Sequence, residues 1–128
     1  MIDHMSIAVS DFQKSKQFYT KALAPIGYSL LMEVTKEQSS HHDAAAFGEP
    51  PKPDFWIAAV ASNAPPPVHV AFAVASRAQV HDFYAAAMAA GGSDNGAPGL
   101  RPYQPNYYAA FVRDPDGHNI EAVCHAPE

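Results

Sequence analysis

The stretch His4 to Gly27, HMSIAVSDFQKSKQFYTKALAPIG, returns 65 residues later as His69 to Gly92, HVAFAVASRAQVHDFYAAAMAAGG, with no gap between the two. His4/His69, Ala8/Ala73, Val9/Val74, Phe18/Phe83, Tyr19/Tyr84, Ala22/Ala87, Ala24/Ala89 and Gly27/Gly92 are identical pairs. Self-similarity at a fixed offset marks a duplicated structural unit. Duplication sets equivalent residues about a pseudo-twofold axis, so the two histidines that open the copies can face each other and share a ligand.

Each copy reads as strand, helix, then further strands. From Asp3 to Val9 the apolar Met5, Ile7 and Val9 alternate with His4, Ser6 and Ala8, the period of a half-buried strand. The stripes Phe18, Tyr19, Ala22, Leu23 and Phe83, Tyr84, Ala87, Met88 have helical spacing. Asp11 and Ser76 stand as N-caps, the latter with Gln79 three residues on. Gly27 and Gly91-Gly92 sit where helices stop. Strand-like runs follow at residues 30–34, 44–47 and 55–60 in the first copy, and at 107–112 and 119–124 in the second. The polar run from Lys36 to Asp43, with His41 and His42, reads as a mobile loop, and the Gly, Pro and Asn-rich stretch from Ser93 to Asn106 reads as another. Asp114-Pro115-Asp116-Gly117 predicts a tight turn between antiparallel strands. The chain thus divides into a first module, 1–60, a stiff linker, 61–67, carrying Pro65-Pro66-Pro67, and a second module, 68–128.

Bulk properties narrow the function classes. A chain of 128 residues, 48% apolar and 16% charged, fits one domain with an ordinary core. No apolar run approaches the ~20 residues of a bilayer-crossing helix, and Met1 to Val9 lacks a signal-peptide layout. The single cysteine, Cys124, allows no internal disulfide and suits a reducing, cytoplasmic compartment. A net charge of -5 disfavours nucleic acid and acidic membranes as partners. A small molecule is the expected ligand.

Strand parity says which side chains meet. His69, Ala71 and Ala73 share one face while Val70, Phe72 and Val74 take the helix-packed one, as in the first copy. In the last strand Glu121 is the one charged side chain, and if Ile120, Ala122 and Cys124 pack on the helices it projects to the face of the histidines. Cys124 is then a buried hydrophobe. A glutamate in an otherwise apolar strand needs a partner. A lone strand-start histidine is ordinarily a surface group, and only the repeat and the shared face single out His4 and His69. His81, opposite the apolar stripe, His118 at a turn and His125 in the tail read as solvent-facing. Arg101, Tyr103, Asn106, Tyr107 and Tyr108 crowd one loop and strand start, either ordering the loop or binding an anionic or planar ligand.

The histidine opening each strand-helix-strand copy, together with the run DPDGHNIE at 114–121, resembles the vicinal oxygen chelate superfamily, which includes glyoxalase I, bleomycin-resistance proteins and extradiol dioxygenases. The resemblance covers nearly the whole chain. It implies an α+β fold of two tandem βαβββ modules forming a metal-centred cleft, a homodimer, and a divalent metal (Zn, Fe, Mn, Ni or Co) held by His4, His69 and Glu121, with Glu121 also catalytic. The cleft could lie within one chain or between two. The superfamily's fourth ligand position falls, by the same offset, at Trp56, which cannot coordinate a metal and is expected instead as a stacking wall for substrate. Two histidines and a carboxylate with open positions suit Fe(II) or Mn(II), and equally Zn(II) with water. The implied activity is a glyoxalase- or lyase-like enzyme chelating vicinal oxygens and stabilising an enediolate. An extradiol dioxygenase and a metal-free drug-binding protein are the alternatives.

Overall fold

The computed structural model describes residues 1–39 and 41–128. The elements are β1 (Met5–Val9), α1 (Phe12–Ala22), a 3₁₀ turn (Ala24–Ile26), β2 (Ser29–Val34), α2 (Lys36–Ser39), β3 (Ala44–Gly48), β4 (Phe55–Ala59), β5 (His69–Ala73), α3 (Arg77–Ala89), β6 (Ser93–Leu100), β7 (Tyr108–Arg113) and β8 (Asn119–Cys124). They form two four-stranded sheets of orders β1-β4-β3-β2 and β5-β8-β7-β6. The duplication holds to the register: Ser6 opposes Trp56 in the first parallel pair and Ala71 opposes Glu121 in the second.

Both long helices begin at the expected caps. The Asp11 carboxylate accepts from Lys14 N–H and the Ser76 hydroxyl from Gln79 N–H, while the Gln79 side chain reaches back to accept from Ala75 N–H at 2.8 Å. α1 stops at Ala22, and a 3₁₀ turn carries the chain on to Gly27, whose φ of 91° closes it in the left-handed region.

Two loop expectations are corrected. Ser93 to Leu100 is a strand paired antiparallel with β7, its register broken around Gly96. It lies at the sheet edge, where a strand tolerates Pro98 and bulges, so its turn-rich composition concealed it. In the run from Lys36 to Asp43, one helical turn forms at Lys36–Ser39; Thr35 Oγ1 accepts from Gln38 N–H and the Gln38 amide oxygen from Thr35 N–H. Ser40, in the same run, lies outside the described residues.

Each sheet is covered by helix on one face, and α1 packs on α3, so the covered faces share one core. The Phe72 ring meets Phe55 edge-on at 5.3 Å and Tyr28 at 5.4 Å, contacts between the copies. A fully buried phenylalanine such as Phe55 contributes roughly 1.5–3 kcal/mol. The opposite sheet faces, carrying the residues in register with Ser6 and with Ala71, are left open.

A polar knot fixes one copy to the other. Asp114 accepts from Tyr19 O–H at 2.5 Å and from the backbone N–H of Asp116 and His118. Asp116 accepts from the Ser10 hydroxyl and N–H. His118, expected at the surface, is fully buried. Its Nε2 donates to Ala8 C=O at 2.7 Å and its Nδ1 accepts from Val68 N–H at 3.0 Å, which defines the neutral tautomer. The turn that carries it docks against the first copy, a long-range contact with no local sequence signal.

Candidate functional site

On the open face of the second sheet the parallel register sets Glu121 beside Ala71, and the antiparallel register sets it beside Phe111. His69, two residues before Ala71, shares that face. Its Nε2 lies 2.8 Å from Glu121 Oε1. The Tyr107 hydroxyl donates to Glu121 Oε2 at 2.5 Å. The Glu121 side chain is 1% exposed and that of His69 is 52% exposed, so the carboxylate is sunk into the sheet and the imidazole stands at its mouth. Burial and then donation to Glu121 push the Tyr107 phenol up to about 12. Tyr103 and His125 pack edge-on against the Tyr107 ring at 5.1 and 5.2 Å.

Beside this pair lies a hollow of about 280 Å³, lined by Asn95, Gly96, Arg101, Tyr103, Phe111 and Asn119. The expected ligand-binding residues divide here. Arg101 and Tyr103 line the hollow and Tyr107 holds Glu121. Tyr108 points to the helix side, its hydroxyl 2.6 Å from His81 Nε2 and its ring under the Arg77 guanidinium. Adjacent strand residues face opposite ways. Asn106 takes a φ of 62° in the turn before β7 and is exposed. Asn95, Phe111 and Asn119 were not singled out from the sequence, although the parity that placed Glu121 also places Asn119 on its face.

His4 lies just before β1, its side chain 59% exposed and its Nδ1 2.7 Å from Asp3 Oδ1. Trp56 is half-buried on the open face of the first sheet, in register with Ser6 and Ala46. Because the sheets join through their helix sides, the single chain does not bring His4 to His69 and Glu121. Among the described residues, the group of three His, Asp or Glu side chains whose ligand atoms fall within 4.8 Å of one another is Asp114, Asp116 and His118. Those atoms are the ones engaged in the knot, and both His118 nitrogens are already bonded.

The chemistry of His69 and Glu121 does fit a divalent metal. Two cis ligands at about 2.1 Å from an ion stand about 3 Å apart, close to the separation of these two atoms. The pair supplies one nitrogen and one oxygen, and a third ligand has to come from elsewhere.

Two tandem βαβββ units, each a four-stranded sheet covered by a helix, make a glyoxalase-like fold. The chain belongs to the glyoxalase/bleomycin resistance protein/dioxygenase superfamily, whose sequence pattern matches residues 1–122. No curated protein sequence matches it. Among solved structures it is similar to a glyoxalase/bleomycin resistance protein from Albidiferax ferrireducens, 28% identical with a TM-score of 0.75 over 98% of both chains. A glyoxalase I mutant from Zea mays is 24% identical with a TM-score of 0.72, covering 95% of this chain and 46% of the maize chain. A glyoxalase/bleomycin resistance protein/dioxygenase family enzyme from Burkholderia phytofirmans is 17% identical, with a TM-score of 0.68 over 98% of both chains. The last two likenesses bear on the fold alone.

Proposed function

We propose that the chain is a glyoxalase-like enzyme that acts, as a homodimer, on a small molecule bearing vicinal oxygens. The observation that carries this reading is the sunken Glu121 carboxylate, paired with a half-exposed His69 on an open sheet face. A carboxylate removed from water in this way is costly unless it is held by a partner or a cation. A divalent metal of the Zn, Fe, Mn, Ni or Co group would be held by His69 and Glu121 with His4 of the partner subunit. When bound, it would act as a Lewis acid toward both substrate oxygens and stabilise charge developing on them.

The dimer follows from the division of the site. His4 and Trp56 lie on the open face of one sheet, and His69, Glu121 and Tyr107 on that of the other, while the helix-covered faces meet within the chain. Apposing the first sheet of one protomer with the second sheet of its partner brings the two halves together twice, as an isologous dimer requires. The units are 1–60 and 68–128, joined by 61–67. Trp56 then forms a wall of the cleft. Tyr107 fixes Glu121 by holding Oε2, and Glu121 Oε1 would accept the proton from the hydroxyl-bearing carbon next to the carbonyl, the electron pair moving onto the carbonyl oxygen as an enediolate. The net charge argues against nucleic acid as partner. No helix among the described residues is long and apolar enough to cross a membrane, and the buried free thiol of Cys124 suits a cytoplasmic setting.

One observation favours a second reading, a metal-free binding protein: both Glu121 oxygens already have partners, His69 and Tyr107. Metal analysis of protein purified without chelators or a nickel column separates the two. The enzyme reading expects about one divalent ion per chain and turnover of 2-oxoaldehyde thiol adducts without oxygen. Absence of metal and of turnover supports the binding protein. Oxygen uptake with a catechol would instead assign dioxygenase chemistry to the same residues.

A further inference from the structure

Arg101 is held in a way that a solvated surface arginine is not. Its guanidinium donates from Nη2 to Ala97 C=O at 2.8 Å and lies over the Phe111 ring at 5.4 Å. Gly96 and Gly99 make room for it: a Cβ on Gly96 would stand 3.1 Å from Nη2, and one on Gly99 3.1 Å from Nη1. At Gly96 a Cβ would also stand 2.9 Å from Phe111 Cδ1, and at Gly99 the guanidinium is the nearest group it would meet. Among the described residues no carboxylate lies within ion-pair distance of Arg101. The nearby Asp94 accepts instead from Tyr84 O–H and Gly96 N–H. A guanidinium carries five N–H donors in a fixed fork suited to carboxylate or phosphate. Here it is seated on an aromatic ring, stripped of a counter-ion, and turned to a hollow in a chain of net charge -5. Asn119 lines the same hollow, its Oδ1 accepting from Asn95 Nδ2 at 3.1 Å.

We infer that the Arg101 hollow is the subsite for a carboxylate carried by the substrate, which selects compounds with vicinal oxygens at one end and an acid group at the other. This rests on the proposed function and adds the substrate class to it. Gly96, beside the guanidinium, opposes Phe111, and Phe111 opposes Glu121, so Arg101 is seated two strands from the carboxylate, while Phe111 and Asn119, the latter opposite His69, carry the hollow up to the acid-histidine pair. Two strand spacings are about 9.5 Å, which calls for an arm of several bonds rather than a compact oxo acid.

The test uses the full-length protein and ligand-observed NMR affinities for 2-oxoglutarate, 2-oxoadipate and 2-oxopimelate, each against its ester at the distal carboxylate, in metal-stripped and Mn(II)-loaded samples. The acid is expected to bind the wild type about tenfold or more tighter than the ester, with or without metal and most strongly for the longer arms. Arg101→Met abolishes the preference, and Arg101→Lys keeps part of it. Arg101→Gln, which keeps a polar side chain and removes the charge, also abolishes the preference and decides the matter should Arg101→Met fail to fold. Equal binding of acid and ester by the wild type, no binding of any acid, or an undiminished preference in the folded variants overturns the inference. If metal adds nothing to affinity while the acid preference persists, the metal reading fails and the carboxylate subsite stands.

Discussion

Glu121 takes its role from two neighbours. With its oxygens occupied by His69 Nε2 and the Tyr107 hydroxyl, the carboxylate stays sunk in the sheet. Tyr107→Phe removes one donor and leaves Oε2 bare, so urea unfolding should show a loss of about 1.5–3 kcal/mol, the range for a hydrogen bond to a charged group. An unchanged midpoint would mean that water replaces the phenol. The same pairing recurs at Tyr19 with Asp114 and Tyr28 with Asp54, and burial is the first cause that raises each of these phenols above 10.0. A folded-state value raised above the unfolded one gives stability that is complete below pH 10 and is lost as pH climbs toward the folded value, about 12 for Tyr107. Alkaline unfolding should therefore begin above pH 10 and be shallower in Tyr19→Phe, followed by circular dichroism alongside phenolate absorbance.

At the scale of elements, Gly92 marks a close approach between the copies that its equivalent Gly27 does not make. A Cβ there would press into Val112 Cγ1, stand 2.9 Å from Ala87 C=O and meet Phe18 Cε1 at 3.0 Å. Gly92→Ala should cost about 1–3 kcal/mol through overpacking where α3, β7 and the first copy converge, and a neutral result in thermal melts would show that the copies can part to accommodate it. Much of this level was legible in the chain. Alternation in β1, β5 and β8, the caps Asp11 and Ser76, and the turn at Asp114 to Gly117 are local signals, and Glu121 on the face of His69 follows from parity alone. What stayed hidden depends on contacts between distant segments. β6 has the composition of a loop and is a strand because β7 pairs with it. His118 is buried because Ala8 and Val68, far away in sequence, bond both its nitrogens. Tyr108 reads as a partner of Tyr107 until the strand sends them to opposite faces.

For the whole molecule, the shared core and the Asp114 knot tie the two copies into one cooperative unit. His118→Ala leaves Ala8 C=O and Val68 N–H unpaired beside a void and should destabilise by about 3–5 kcal/mol. Both copies should still melt in one calorimetric transition, and two separate transitions would contradict a common core. This back-to-back join turns the open faces apart within the chain, and the proposed cleft needs a second chain to close it. The most direct test mixes two variants, His4→Ala and Glu121→Gln, by unfolding and refolding them together and then titrating Mn(II) or Zn(II). Each variant alone should bind no metal tightly. A mixed dimer regains one intact site, made from His4 of one protomer with His69 and Glu121 of the other, so the mixture should recover about one quarter of wild-type capacity. Full binding by His4→Ala alone, or no recovery on mixing, would contradict a site shared between subunits.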